Sequence, residues 1–145
     1  MDFSKLPQVA GFAVQGEVFD PRTFLLSTTT ATEAAALLLL CWPGFIEHRG
    51  GIFLSFLFDG PAIDKWFDHM NGDIQAVESV VNHVHLWDVL PPKSEAEHQV
   101  LAELAGTVAA MWRAALREAF ADRVFVVVVA DETIDYGPTV SFHSA

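Results

Sequence analysis

The segment Asn82-His83-Val84-His85 carries the residue types and spacing best suited to chemistry in this chain. Side chains alternate across a strand, so two histidines separated by one residue share a face and can grip one metal ion together. A third ligand is missing locally. Asp88 faces the other way in a regular strand, so His48, His143 or an acidic loop residue would have to arrive through the fold. The competing reading is structural, with one imidazole bonding a buried backbone group and the other partly exposed. A bare pair of histidines more often means that, so no cofactor is expected.

A second cluster is Asp131-Glu132-Thr133-Ile134-Asp135-Tyr136-Gly137-Pro138, which gathers carboxylates and the only tyrosine. It leaves the carboxyl end of an apolar strand, where α/β-type sheets often place ligands. Crowded carboxylates can raise one pKa for acid–base work, hold a divalent cation, or meet basic residues of another protein. Gly137-Pro138 and the polar residues around it are equally what a solvated hairpin loop needs.

Other chemistries have no footing. The chain lacks a Gly-rich phosphate loop, a dinucleotide fingerprint, a nucleophile elbow, a His-Glu-x-x-His helix and a Cys-x-x-Cys pair. Cys41 is the only cysteine, so no intrachain disulfide forms, and its apolar neighbours raise a thiol pKa rather than lower it. Ser55 and Ser141 have no nucleophile context, and no catalytic residue is assigned.

A formal net charge of -11 repels phosphate backbones and anionic lipid, which excludes direct nucleic-acid binding. Acidity, small size and the absence of a catalytic motif point first to a non-enzymatic, soluble, cytoplasmic module that binds a basic protein. An inhibitor or immunity-type protein neutralising a toxin or nuclease is the model, with Asp131, Glu132, Asp135 and Tyr136 as contacts. The alternative is a small metal-assisted enzyme built on His83 and His85, with an acidic residue of the 131–135 loop as ligand or base.

The elements that must position these residues come next. At 145 residues and 52% hydrophobic composition the chain suits a single α+β domain over 1–145. The run 124–130 has no polar side chain and is read as a central strand covered on both faces. The polar–apolar alternation of 139–143 pairs it antiparallel with that strand. Residues 9–18 read as an irregular or edge strand, and Phe24-Leu25-Leu26 begins a second.

Thr30-Ala31-Thr32-Glu33 has capping-box spacing and starts a helix through Leu40 that must end before Pro43. Phe45 to His48 and Ile52 to Phe58 form a hairpin around Arg49-Gly50-Gly51. Asp59-Gly60-Pro61 opens an amphipathic helix, and Asn71-Gly72 ends it. Segment 73–90 is ambiguous, and its β-branched residues favour a strand over 80–89 after a short helical turn. Ser94-Glu95-Ala96-Glu97 is a second capping box and begins the longest helix. Small residues at Ala102, Gly106, Ala109 and Ala110 offer a face for close approach, including in a homodimer. Right-handed crossovers between the strands predict a mixed sheet with three main helices packed on it. No run reaches the roughly 20 apolar residues that span a bilayer.

Overall fold

A computed structural model describes residues 6–10, 20–131 and 133–145. The chain is α+β, with helices packed on two small antiparallel sheets. Val9 and Ala10 belong to the single turn α1 (Pro7–Ala10), and the rest of the strand expected over 9–18 lies outside the described residues.

Phe24, Leu25 and Leu26 lie in a helix, α2 (Pro21–Thr28), and not in the expected strand. Local capping decides this. The Asp20 carboxylate accepts from the backbone N–H of Arg22 at 3.0 Å and of Thr23 at 3.3 Å, and Pro21 supplies a helical φ in the first turn. In α3 (Ala31–Cys41) the capping box is complete, with Glu33 N donating to Thr30 Oγ1 at 3.2 Å and Thr30 N to Glu33 Oε2 at 2.9 Å. Only Leu40 of α3 is buried, while Leu37, Leu38 and Leu39 stand exposed.

The hairpin β1 (Phe45–His48) and β2 (Gly51–Leu54) turns through Arg49 and Gly50, both at positive φ. β2 stops at Leu54, short of the expected Phe58. Ser55 N still bonds across the hairpin to Gly44 O at 2.9 Å, and residues 55–57 then wind into a 3-10 turn closed by Phe58 N on Ser55 O at 3.4 Å. Asp59 caps α4 (Gly60–His69) on Ala62 N at 3.1 Å, and Asn71 and Gly72 leave that helix at positive φ.

The ambiguous segment is mostly helical. Asp73 accepts from Ala76 N at 3.0 Å and opens α5 (Ile74–Val81), so the expected strand over 80–89 contracts to β3 (His83–His85). One helical turn follows, α6 (Leu86–Val89). Ser94 caps the long α7 (Glu95–Ala119) through Glu97 N at 3.3 Å, but the Glu97 carboxylate takes Lys93 N and Gln8 Nε2 in place of the reciprocal bond.

The sheet carrying β4 (Phe125–Ala130) and β5 (Thr139–Ser144) has the order β3-β5-β4. Among the described residues the run 124–130 is therefore an edge strand, and β5 takes the central place that was expected of it. Val124, Val126, Val128 and Val129 are 72%, 41%, 42% and 40% exposed, so the run is not covered on both faces. Every strand pairing among the described residues is antiparallel, so the mixed sheet and the parallel crossovers do not form. The core lies where α7 crosses this sheet, with Trp112, Val108 and Leu116 against Val84, Val140 and Phe142. No single helix among the described residues is long and apolar enough to cross a membrane.

Polar side chains of α5 join the two sheets. Glu78, fully buried, accepts from Ile52 N at 2.7 Å on β2 and from Ser144 N and Oγ on β5. Asn82, also buried, accepts from Leu54 N at 3.0 Å and donates to Ile52 O at 2.8 Å and Phe142 O at 3.4 Å. Four helical residues rise about 6 Å, and two strand residues advance about 6.7 Å. Side chains four apart, Glu78 on α5 and Asn82 at its C-cap, can thus meet backbone groups two apart on β2, standing in for a missing strand.

Candidate functional site

β3 fixes the histidine pair. It pairs with β5 in the register His83 to Ser141, Val84 to Val140 and His85 to Thr139, which turns Val84 into the core. His83 and His85 then share the outer face, with ring centroids 4.6 Å apart. Leu86 N bonds to Pro138 O at 2.9 Å and so ties the strand end to the loop that returns from β4.

That loop delivers the third group. Asp131 accepts from Thr133 N at 2.9 Å and Thr133 Oγ1 at 2.6 Å, and its carbonyl accepts from Asp135 N at 2.9 Å. The resulting turn brings the Asp135 carboxylate over the histidines, with Oδ2 at 2.9 Å from His83 Nε2 and Oδ1 at 4.0 Å from His85 Nδ1. One donor atom from each of His83, His85 and Asp135 lies within 4.8 Å of the others. The Tyr136 backbone N–H donates to the Asp135 carboxylate and, with the His85 and His83 rings close by, holds that group below the usual carboxylate range despite some burial.

Neighbouring groups orient the rings. His85 Nδ1 lies 3.2 Å from Tyr136 O and 3.1 Å from Thr139 Oγ1, whose hydroxyl itself donates to Gly137 O. A carbonyl only accepts, so the bond to Tyr136 O puts the proton on Nδ1 and leaves Nε2 with the free lone pair. The Tyr136 ring lies 4.5 Å from that of His85, and its hydroxyl donates to Asp88, which pushes the phenol pKa up. Gly137 adopts φ +79°, and a Cβ there would come within 2.6 Å of the Trp87 indole. Only glycine lets the loop fold down onto Trp87 and carry Asp135 to the histidines.

Of the expected contacts, Asp131, Asp135 and Tyr136 thus lie in one loop with their polar atoms engaged within it or with β3 and α6, while Glu132 lies outside the described residues. His48 is committed to Asp64 at 2.8 Å and His143 bonds Gln75 at 3.0 Å, so neither joins the pair. Reading the sequence alone overlooks Thr139 and Trp87, and sets Asp88 aside as facing the other way. Thr139 carried a signal, as a polar residue at the start of a strand predicted to alternate. The one-turn helix that swings Asp88 toward Tyr136 carried none.

No protein-family model, curated protein or solved structure matches the chain.

Proposed function

We propose that the chain binds a divalent first-row transition metal ion through His83, His85 and Asp135, as a small metal-assisted enzyme. The convergence of two strand histidines and a loop carboxylate supports this reading. Nitrogen and oxygen donors of this kind suit zinc and its neighbours, at about 2.0–2.2 Å from the ion. Donor atoms up to 4.8 Å apart must close slightly around it, a movement within the reach of a loop turn. The ion would take the place of the direct 2.9 Å contact between His83 Nε2 and Asp135 Oδ2. With three protein ligands, a further coordination position faces solvent, since the His83, His85 and Asp135 side chains keep 33%, 20% and 28% of their surface exposed. An open position of that kind lowers the pKa of a bound water and polarises a carbonyl or phosphoryl oxygen.

Zinc titration by calorimetry is expected to show one equivalent bound with micromolar or tighter affinity, of the order of -8 kcal/mol. Bound cobalt should give the visible absorption of a low-coordinate nitrogen–oxygen site. The double variant His83→Ala/His85→Ala should lose both signals while keeping its fold. Unchanged stoichiometry in that variant, or no saturable binding to the parent protein, removes the reading.

A second reading is an acidic inhibitor or immunity-type module. It is supported by the net charge and by Ile134 and Tyr136, which stand 79% and 54% exposed beside Asp131. A basic protein encoded beside this one should form a complex that weakens as salt rises. The absence of any complex at low salt counts against it.

A further inference from the structure

Three of the eight cationic side chains of this acidic chain, Arg113, Arg117 and Arg123, line one cavity of about 410 Å³ between the end of α7 and the outer side of β4. It opens near the 123–127 end of the β4–β5 hairpin, at the other end from the histidine site. Its apolar lining includes Leu116, Phe125 and Val127. Each guanidinium is anchored by carbonyl or hydroxyl oxygens, the Ser144 hydroxyl at Arg123 being bonded in turn to the Glu78 carboxylate. Arg113 Nη2 donates to Val127 O at 3.0 Å, Arg117 Nε to Arg113 O at 3.1 Å, and Arg123 Nη2 to Gly50 O and Ser144 Oγ at 3.1 Å each. Among the described residues no carboxylate lies within 4.0 Å of a nitrogen of any of the three, although Arg49 on the β1–β2 turn has two such partners.

We infer that this cavity binds a small organic carboxylate with an apolar body, the carboxylate on Arg113 and Arg117 and the body on Ala121, Val124 and Phe125. Guanidinium groups bind carboxylates through paired, charge-assisted hydrogen bonds, and each of the three keeps N–H groups beyond the one that anchors it. Arg113 and Arg117 stand one turn apart on α7 with no carboxylate within 4.0 Å among the described residues, and an anion between them relieves their mutual repulsion. A cavity of this size matches a ligand with a short alkyl chain or one aromatic ring. The net charge of the chain opposes any anion at a distance, yet salt screens that repulsion within about 10 Å, so contact chemistry decides. A peptide strand laid along β4 fits less well, because Arg113 already occupies the outward carbonyl of Val127 that such a strand would need.

The test is titration of the full chain with octanoate, octanol and acetate, followed by backbone amide shifts in NMR. Octanoate is expected to move the amides of 124–127 saturably at millimolar concentration, with octanol and acetate each weaker by about tenfold. Arg117→Gln, whose only anchoring contact is to its own helix, should weaken octanoate by about tenfold. Arg117→Lys should keep part of the affinity. Equal shifts from octanoate and octanol would show a merely apolar crevice and overturn the inference. So would unchanged binding in Arg117→Gln together with Arg113→Gln, or no saturable shift in the parent protein.

Discussion

Replacing Trp112 with alanine is expected to destabilise the protein by about 3–5 kcal/mol, a large share of the roughly 5–15 kcal/mol that holds a domain folded. The indole is fully buried, meets Phe142 edge-on with centroids 6.0 Å apart, and donates from Nε1 to Leu40 O at 2.7 Å. That last bond gives the change a second consequence. α3 is anchored chiefly by Leu40 and this carbonyl, its other leucines being exposed, so the variant should also loosen α3. Denaturant unfolding measures the first effect, and amide exchange over 31–41 the second. Trp112→Phe keeps most of the apolar contact and abandons the carbonyl, so its loss should be nearer 1–2 kcal/mol. A total below about 1 kcal/mol for Trp112→Ala would show that the core can close over the gap.

Asn82→Ala is the second change of large effect, expected to cost about 2–4 kcal/mol. It strands Leu54 N and Ile52 O, both in a strand with no exposed residue, without the partners that Asn82 supplies. Glu78→Ala should be comparable, since it strips Ile52 N and Ser144 N together. Glu78→Gln keeps an acceptor and should lose less. The two alanine changes act on one seam between the sheets, so their combined effect should fall short of the sum. Full additivity in denaturant unfolding would contradict the seam.

Features set by neighbouring residues were legible in the sequence. Thr30 with Glu33, Asp59 ahead of Pro61, and Asn71-Gly72 each act within one turn of chain, and the helices begin and end where they do. The alternation His83-Val84-His85 showed which side chains share a face, and the acidic loop after β4 was one of the expected sources of a third group. The cap at Asp20 and Pro21 is as local as these, yet the apolar Phe24-Leu25-Leu26 after it mimics a strand in the sequence.

Strand order was not legible. Val126 to Val129 look the same to a pattern whether a partner lies on one side or two, and β3 sits beside β5 through contacts distant in sequence. The helical course of 74–81 was hidden for a related reason. Glu78 and Asn82 look like ordinary polar positions until β2 and β5 are placed against them.

A ribbon margin made of valine, without a strand partner among the described residues, invites molecule-on-molecule stacking, the hazard that most proteins blunt with a lysine or proline in the strand itself. β4 has neither, and the protection is lent by a helix: the Arg113 guanidinium plugs the acceptor of Val127 at mid-strand. A variant lacking that side chain would lose its guard against fibril-like growth.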